Sequence, residues 1–387
     1  MGFPYILNAA CYILFLMRIA LVHDQLQEFG GAERVFLALK KIYPSSDVFT
    51  AFYNEETLRK HAPDYKAWKI KTSLVSRIPF FVKLYSPLRF LAPVIWESFD
   101  FSQYDLVISS SGWYMSKNIK TKKPTIHISY IHHPPRYLYG YETAMEWQKH
   151  LLIKIYANII NHRLRIWDYY ASQRADYFIA NSEDTKKRVV KFYKRNSTVI
   201  YPPVDIPKKN SEFRIQNSEY YVTLSRLARA KHIEILIDAA NKNKFKLKIV
   251  GVGRDLNFLK SIAGPTVEFL GHIEDKEFGE LFTNAKAFLF ASVDEEFGIA
   301  PVEAMGFGVP VIAYSSGGLK ETVKPGINGY LFEELSSSSL LREIKKLETL
   351  SKEKYLEMRK NSRKEAEKYS FERFKKEILQ FVKSKTK

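Results

Sequence analysis

The sequence predicts an α/β protein built from two doubly wound domains, in which helices cover parallel sheets. Short apolar runs rich in β-branched residues alternate with segments of helical spacing. A proline-rich, polar stretch at 201–218 interrupts this alternation, and a second series of runs follows it. The chain has 387 residues, which is longer than a single hydrophobic core usually accommodates. Hydrophobic residues make up 46% of it, enough for two cores. Strands that alternate with helices favour a parallel sheet, here formed twice.

The first series begins after Met17, where a short apolar run is typical of a buried first strand. Helical spacing predicts helices at 32–41 and 147–172. Further runs have the composition of buried strands, namely 105–111, 126–132, 176–182 and 197–203. Ahead of this series, the stretch from Tyr5 to Met17 is apolar except for Asn8, but it is shorter than the roughly 20 residues that span a bilayer. We therefore expect residues 1–16 to form an extension outside the fold.

The second series repeats the alternation after the polar stretch. A helix is predicted near 231–242, and strand-like runs occur at 220–227, 245–253, 266–272, 285–292, 309–315 and 329–332. We predict an N-terminal domain over 17–205, a linker over 206–218 and a C-terminal domain over 219–368. Ligands of doubly wound sheets bind at the carboxyl ends of the strands, so the loops after these strands are the candidate sites.

Composition limits the partners of the protein. The single cysteine, Cys11, excludes an internal disulfide and a cysteine-built zinc site. The formal charge of +18 is compatible with nucleic acid, anionic lipid or a phosphorylated ligand. Residues 59–90 hold eight Lys or Arg against one acid, Asp64, with aromatic residues between them. Such a segment suits a membrane surface, and it equally suits a solvated basic face with some aromatic residues in the core. We find no nucleic-acid recognition motif and expect no nucleic-acid partner.

One stretch, 294–308, combines a strand end, a loop and a helix start. Glu295 follows the run at 285–292, and Pro301 is placed as the first residue of a helix that continues through Glu303 until Gly308 ends it. Both carboxylates should lie near the helix N-terminus, where free N–H groups attract an anion such as phosphate. A carboxylate in the first turn is a usual acceptor for vicinal hydroxyls. Two glutamates eight positions apart are common by chance, so the surrounding pattern carries the prediction.

The stretch from Glu295 to Phe332 resembles the signature of glycosyltransferase family 4, whose two glutamates are spaced E-x7-E, here Glu295 and Glu303. Further similarity lies at 22–35, 130–139, 180–189, 225–231 and 369–374. Within the family the chain is most similar to bacterial mannosyltransferases of polysaccharide assembly. The resemblance implies the GT-B fold, in which two Rossmann-like domains face each other across a cleft. It also implies that the final amphipathic helix, within 369–387, packs back on the N-terminal domain.

The resemblance assigns functional roles to named residues. Catalytic residues would be Glu295 on the sugar hydroxyls, His132 beside the transferred sugar, and Arg226 with Lys231 on the diphosphate leaving group. Fixed cations there would stabilise the departing nucleotide, the part that a metal plays elsewhere. Arg136 would contact the acceptor or the donor phosphate. The remaining donor-binding residues would be Gly30, Gly31, Gly251, Gly253, Phe297, Gly298, Ile299, Ala300 and Glu303.

Plain structural roles compete with these assignments. Gly30 and Gly31 also suit an ordinary strand-to-helix turn, Arg226 and Lys231 suit surface charges, and His132 suits a capping residue. Gly251 and Gly253 follow a strand, but Leu256 stands where the dinucleotide-binding fingerprint has Gly or Ala, which disfavours an oxidoreductase. Gly317 and Gly318 form another strand-to-helix loop, with Glu321 after it, that either shapes the donor pocket or is a structural turn.

The activity implied is that of a retaining glycosyltransferase that moves a hexose, mannose first, from a nucleotide-sugar to a hydroxyl of a glycan or a lipid-linked acceptor. The donor would be GDP-mannose, with UDP- and other GDP-sugars as alternatives, and the reaction would use no metal and no cofactor. A sugar-nucleotide epimerase of the same fold, or an inactive nucleotide-sugar-binding module, is the alternative. We expect a cytoplasmic protein, peripheral at the inner face of the membrane if 59–90 binds lipid. Same-face attack and a covalent intermediate both stay open as routes to retention.

Overall fold

The computed structural model describes residues 17–143, 151–207, 220–273 and 275–386. These residues form two compact units. Of the described residues, the first unit contains 17–140, 151–201 and 372–386, and the second contains 141–143, 202–207, 220–273 and 275–371. The predicted extension 1–16 and most of the predicted linker 206–218 lie outside the described residues.

The first unit is built on a seven-stranded parallel sheet with the order β3-β2-β1-β4-β5-β6-β7. Its strands are β1 (Ile19–His23), β2 (Asp47–Thr50), β3 (Ile70–Thr72), β4 (Leu106–Ser111), β5 (Ile126–Ile131), β6 (Tyr177–Ala180) and β7 (Thr198–Val199). Every residue of β1 and β4 is buried, because helices cover both faces of a parallel sheet and its central strands contact no water.

All helices of the first unit except the last lie between its successive strands. They are α1 (Gly31–Ile42), α2 (Glu55–His61), α3 (Phe81–Leu84), α4 (Ala92–Glu97), α5 (Arg136–Tyr139), α6 (Leu151–Ser172), α7 (Glu183–Tyr193) and the C-terminal α15 (Phe371–Lys385). Short 3-10 turns lie at Tyr65–Ala67, Leu74–Arg77, Pro87–Leu91 and Ser116–Asn118. The last helix packs within this unit through Phe374, whose ring lies 6.0 Å from that of Tyr130 on β5.

The second unit is built on a six-stranded parallel sheet with the order β10-β9-β8-β11-β12-β13. Its strands are β8 (Tyr220–Leu224), β9 (Lys246–Val250), β10 (Val267–Gly271), β11 (Ala285–Phe290), β12 (Val311–Tyr314) and β13 (Gly329–Phe332). The helices are α8 (Ile233–Asn243), α9 (Leu256–Ile262), α10 (Asp275–Thr283), α11 (Ile299–Gly306), α12 (Leu319–Thr322), α13 (Ser337–Glu348) and α14 (Lys352–Glu367), and a 3-10 turn lies at Arg229–Lys231.

Each sheet has its own core. In the first unit, strand residues such as Val22 and Phe49 pack against an aromatic group that includes Trp96 and Tyr114. In the second unit, Leu236 and Ile237 of α8 pack on Ile249 of β9, with Ile344 of α13 in the same cluster. Among the described residues, no helix combines the length and the apolarity needed to cross a bilayer.

The predicted class, two α/β units with parallel sheets, is confirmed. The sequence analysis did not anticipate β2 and β3, which are only four and three residues long. The run at 197–203 forms a strand only at Thr198–Val199, because two prolines follow and proline lacks the N–H that a sheet needs. In both sheets the strand order reverses in the middle, between β1 and β4 and between β8 and β11, and ligands bind next to such a reversal.

Candidate active site

Four loops of the second unit lie side by side at the carboxyl edge of its sheet. They follow β9, β8, β11 and β12, which are neighbours in that order. The loop after β8 donates Ser225 N–H to Val250 O over 3.1 Å, and the loop after β11 donates Val293 N–H to Ala230 O, also over 3.1 Å. The loop after β12 donates Gly318 N–H to Glu295 O over 2.8 Å. The sheet order and these hydrogen bonds together produce one continuous row of loops.

Lys231 and Glu295 form an ion pair in the middle of this row. Lys231 Nζ lies 2.5 Å from Glu295 Oε2 and 3.2 Å from Ser292 Oγ. Ser292 Oγ also donates to Glu295 Oε2 over 2.7 Å, so one carboxylate oxygen accepts two hydrogen bonds. The Lys231 side chain is 23% exposed, so the pair lies at the surface of the loop row and not in the core. The structure therefore brings together two of the predicted catalytic residues, which are separated by 64 positions in sequence.

Glycines allow neighbouring loops in this row to pack backbone against backbone. A Cβ atom on Gly251 would lie 1.9 Å from Ser225 O, and one on Gly253 would lie 2.1 Å from Leu227 O. Both distances are far inside van der Waals contact, so the two positions require glycine. The sequence analysis attributed these glycines to close approach of the donor. The structure adds a constraint within the protein, the fit of the loop after β9 against the loop after β8. The proposed contact with the donor stays a prediction.

The same arrangement joins the loops after β11 and β12. A Cβ atom on Gly317 would lie 1.9 Å from Glu295 O, and Gly317 has a φ of +56°, a left-handed conformation that favours glycine. A Cβ atom on Gly318 would lie 2.3 Å from Glu296 O. These glycines hold the backbone of Glu295 in place, and Ser316 Oγ accepts a hydrogen bond from the neighbouring Asp294 N–H over 2.9 Å.

Glu303 lies on α11, the helix that follows the loop containing Glu295. The helix begins at Ile299, two residues before the predicted start at Pro301, with Gly298 as its N-cap at a φ of 88°. Glu303 is thus the fifth helical residue and belongs to the second turn, whereas a first-turn position was predicted. The helix ends at Gly306, and Gly308 beyond it has the left-handed φ of 71° that often terminates a helix.

The other predicted donor residues surround the start of α11. Phe297 is buried and its ring contacts that of Tyr369 at 5.1 Å, so it fixes the approach to the helix from inside the unit. Ile299 and Ala300 are the first two helical residues and are partly exposed. Arg226 follows β8 and is exposed, in the same loop that leads to Lys231. The structure therefore places both predicted phosphate-binding cations in the loop after β8.

His232 directly follows Lys231 and is the central member of a second cluster of charged side chains. Its Nδ1 lies 2.8 Å from Glu234 Oε1 and its Nε2 lies 3.2 Å from Glu142 Oε2. The hydrogen bond to Glu234, followed by that to Glu142, raises the pKa of His232 above its ordinary value of 6.5, against an opposing effect of burial. Glu142 also lies 3.6 Å from Arg229. Sequence analysis found none of these partners.

The candidate residues of the first unit lie in a hydrogen-bonded chain of buried groups. His132, which is 5% exposed, lies directly after β5, and its Nε2 is 2.8 Å from Ser110 Oγ on β4. The same hydroxyl lies 3.1 Å from Nδ1 of His23, the last residue of β1. His23 Nε2 lies 3.4 Å from Glu33 Oε1, and Glu33 Oε2 accepts from Gly30 N–H over 2.8 Å. The chain thus connects two predicted site elements, His132 and the Gly30–Gly31 loop.

Gly30 and Gly31 form the N-terminal junction of α1. Gly30 is the N-cap with an extended φ of −145°, which other residues also adopt, and Gly31 is the first helical residue. Next to this junction the buried Asp24 accepts three backbone N–H groups, from Gly112, Tyr114 and Ser116, each over 2.8 Å. Arg136 is the first residue of α5, four positions after His132. These contacts organise the carboxyl edge of the first sheet around its reversal point.

Neither unit offers an obvious metal site in the described ranges, because no group of three or more His, Cys, Asp or Glu side chains is arranged to hold an ion there.

Two family models match the chain. Residues 29–208 match the model described as Glycosyltransferase Family 4, and residues 205–365 match the model described as Glycosyl transferases group 1. The chain thus combines a glycosyltransferase family 4 domain with a glycosyl transferases group 1 domain. The first match covers strands β2–β7 of the first sheet, and the second covers all six strands of the second sheet.

Curated relatives match shorter stretches of this glycosyltransferase. An uncharacterised glycosyltransferase of Methanocaldococcus jannaschii is 30% identical over 214 residues, which cover 53% of this chain and 58% of that protein. A GDP-mannose-dependent alpha-mannosyltransferase of Mycobacterium tuberculosis is 35% identical over 108 residues, 28% of each chain. The chain thus spans little more than half the length of the first relative and about a quarter of the second.

Solved structures of similar fold cover nearly the whole glycosyltransferase. The Anabaena protein HepE, crystallised with UDP, superposes with a TM-score of 0.71 at 21% identity, over 95% of this chain and 100% of that one. WaaG, described as a glycosyltransferase of lipopolysaccharide biosynthesis, superposes with a TM-score of 0.62 at 15% identity, over 94% and 99%. These likenesses confirm the predicted GT-B fold of two Rossmann-like domains.

Proposed function

We propose that this protein is a retaining glycosyltransferase that moves a hexose, mannose first, from a nucleotide-sugar to a hydroxyl of a glycan or lipid-linked acceptor. The observation that carries the proposal is the Lys231–Glu295–Ser292 cluster in the row of loops at the carboxyl edge of the second sheet. Family membership supplies the reaction class, and the cluster supplies groups suited to a sugar diphosphate.

Lys231 and Arg226 bind the diphosphate in this proposal. An ammonium group has three N–H donors, of which Glu295 and Ser292 engage two, so a third can reach a phosphate oxygen. Negative charge grows on the nucleotide as the bond to the sugar breaks. Cations already held in position stabilise that charge without reorganising, which is the most effective form of electrostatic catalysis. With these two cations on the leaving group, we propose a metal-independent reaction.

Glu295 and Glu303 recognise hydroxyl groups. Because Lys231 and Ser292 both bind Glu295 Oε2, the other oxygen of that carboxylate can accept from a hydroxyl of the transferred sugar. Glu303, one turn into α11, accepts from the ribose hydroxyls. The two carboxylates would thereby fix the donor on either side of its diphosphate, so that the anomeric carbon is presented in one orientation.

The identity of the donor rests on relatives. The mycobacterial relative is named for GDP-mannose, and an alpha-1,3/1,6-mannosyltransferase of Kluyveromyces lactis is 29% identical over 202 residues, 38% of this chain and 40% of that protein. HepE was crystallised with UDP. We propose GDP-mannose as the first donor to test and UDP-sugars as the second.

The first unit serves the acceptor in this proposal, with His132 beside the transferred sugar. The histidine is positioned by Ser110 and, through that hydroxyl, by His23, so its ring is fixed before any ligand binds. A fixed imidazole can hydrogen-bond a sugar hydroxyl or stabilise positive charge on the sugar ring. Lipid-linked acceptors would require contact with a membrane, for which the basic segment 59–90 is the sequence-based candidate.

Product analysis tests the activity and separates the alternatives. Purified protein is incubated with GDP-mannose or UDP-sugars and with a lipid-linked oligosaccharide extract, and products are followed by mass spectrometry and NMR of the anomeric proton. A transferase yields a new glycoside with the donor's anomeric configuration, and an epimerase yields an altered nucleotide-sugar with no acceptor product. Donor binding without any product over long incubation would favour the inactive module and refute the proposal.

A further inference from the structure

Helix α6 exposes apolar side chains on the face that points away from its own unit. Its buried residues Ala157, Asn161, Leu164 and Asp168 follow helical spacing and form the inner face. A second set with helical spacing lies half a turn away and is exposed: Leu152, Ile155, Ile159, Ile166 and Tyr170. Leu152 is 81% exposed. A surface helix normally keeps its apolar stripe inside, so an outer stripe of this length needs a partner.

Polar contacts on the inner face fix the orientation of α6. Asp168 is fully buried, forms an ion pair with Lys117, and accepts from Asn118 Nδ2 and Tyr139 OH, each over 2.8 Å. The Tyr193 hydroxyl donates to the same carboxylate over 2.9 Å. Rotating the helix to bury its outer stripe would leave a charged pair without partners, which is costly in a protein interior. The buried contacts of Asp168 therefore fix the rotation of α6 so that its apolar stripe faces outward.

A second exposed apolar group lies beside α6. Leu74, Ile78, Phe80, Leu84, Phe90 and Val94 are all exposed, and Phe80 is 72% exposed. Their segment touches the helix, because Tyr156 OH donates to Pro87 O over 2.5 Å and Arg89 Nη2 donates to Asn161 Oδ1 over 2.9 Å. We call the outer stripe of α6 together with residues 74–94 the apolar face.

The segments that form the apolar face carry exposed charges of one sign. Two acids border these segments, the exposed Asp64 and Glu97, which is paired with Lys120 and Arg174. Residues 65–96 contain six Lys or Arg and no Asp or Glu, and Arg77 and Lys83 within them are exposed. On α6 the exposed charged residues are Lys154, Arg163 and Arg165, while the one acid over 151–172, Asp168, is buried. Exposed apolar side chains among cations, with no exposed acid within these segments, complement the acyl boundary and the phosphates of an anionic bilayer.

We infer that the apolar face docks onto the headgroup region of an anionic phospholipid bilayer. This differs from the sequence-based candidate 59–90, because part of that segment is core: Phe81 is fully buried, and Trp68 packs against Phe36. The exposed members of the segment act together with α6, which the sequence analysis treated only as a helix. Leu and Ile side chains enter the acyl boundary, and the basic side chains bind lipid phosphates. The inference does not depend on the transferase activity.

Flotation with lipid vesicles tests the inference. The full chain is mixed with phosphatidylcholine vesicles with or without phosphatidylglycerol, and the bound fraction is measured. We expect binding to the anionic vesicles that falls at least about tenfold on neutral ones, since each basic side chain near an anionic surface contributes about a fivefold change. Every variant keeps the apolar stretch Tyr5–Met17, so differences between variants report on the apolar face.

Matched double variants locate the surface. Ile155→Ser with Ile159→Ser should lower vesicle binding at least about tenfold, because the protein loses two exposed aliphatic side chains that would enter the acyl boundary. Phe258→Ser with Ile327→Ser, equally exposed apolar positions in the second unit, should change it less than about twofold. Should the first variant melt early, Arg77→Glu with Lys83→Glu tests the charges, with Lys320→Glu and Lys352→Glu as control. Equal effects of face and control variants would overturn the inference. The inference would also be overturned if the wild type formed a dimer and did not bind vesicles, and if only variants of the apolar face dissociated that dimer.

Discussion

The ammonium group of Lys231 is the centre of the proposed donor site. It is bonded to Ser292 and Glu295, remains partly exposed, and follows the exposed Arg226 in one loop. The pairing serves two ends. It neutralises the cation while no ligand is bound. It also orients the Glu295 carboxylate, so that Oε2 binds Lys231 and Ser292 and the other oxygen can accept from a sugar hydroxyl.

Lys231→Ala and Glu303→Ala should each abolish transfer while the fold survives. Loss of the fixed cation of Lys231 at a developing negative charge typically lowers kcat by about a hundredfold or more. Loss of the Glu303 carboxylate removes the proposed acceptor of the ribose hydroxyls. Both side chains are partly exposed, so little core packing is lost. The measurement is initial rate with the donor identified for the wild type, alongside far-UV circular dichroism. Lys352→Ala, an exposed lysine on α14 of the same unit, is the control, and full activity in either site variant would refute its assigned role.

Some residues of the site were predictable from sequence and others were not. Glu295, Glu303, Lys231 and His132 were predicted from a family pattern and from their places at strand ends. Ser110 was not, because its relevance comes from the register of β1 against β4, which places His23 opposite it across 87 positions. Neither member of such a cross-strand pair carries a local signal.

At the scale of elements, loop packing by glycine organises the second unit. The glycines at 251, 253, 317 and 318 each lie where a Cβ would meet the backbone of the adjacent loop. The loop after β9 is thereby held against the loop after β8, and the loop after β12 against the loop after β11. A backbone hydrogen bond from Val293 to Ala230 joins the two pairs. This leaves the side chains of Lys231 and Glu295 as the groups that line the row.

Gly317→Ala should destabilise the second unit far more than Gly326→Ala. Both positions have a left-handed φ, but a Cβ at 326 meets nothing within 4 Å, whereas one at 317 lies 1.9 Å from Glu295 O. The conformational term alone costs about 1 kcal/mol, or about 2–4 °C in melting temperature for a domain of this size. We expect that loss for Gly326→Ala and at least about three times as much for Gly317→Ala in scanning calorimetry. Equal losses in melting temperature would mean that the loop after β12 moves away from Glu295 O with no further loss of stability.

His232 should make stability depend on pH. Its pKa is raised, first by Glu234 and then by Glu142, so the folded state holds the proton more tightly than the unfolded state does. This contribution is fully present below the ordinary value of 6.5 and is lost as pH rises through the raised value. His232→Gln should therefore lower the melting temperature at about pH 5 and have less effect at about pH 9. The same loss at both pH values would contradict an ionic role.

Element boundaries show where local patterns fail. The runs at 105–111 and 126–132 were predicted nearly to the residue, because each contains apolar residues, many of them β-branched, of a central, buried parallel strand. Edge strand β3 was missed, since its residues are only half buried and carry no such run. Helix α11 starts before Pro301 because Gly298 supplies the left-handed turn into it.

At the scale of the whole molecule, the charge of +18 has two proposed uses in different units. In the second unit, cations face the loop row and match a diphosphate. In the first unit, they surround the apolar face and match an anionic bilayer. Sequence alone showed the surplus and part of its location, but the division required the fold, because α6 and residues 74–94 are brought together only by tertiary contacts.

Calorimetric titration of the wild-type protein with GDP-mannose and UDP-sugars, in the presence of a chelator, tests the central claim most directly. We predict saturable binding of at least one of them, weakened at least about tenfold in Lys231→Ala and in Glu303→Ala, since each loses a charged hydrogen bond to the ligand. Lys352→Ala, on α14 outside the row of loops, should bind like the wild type. Binding that is unchanged in both site variants, or absent for every nucleotide-sugar, would contradict a donor site at the carboxyl edge of the second sheet.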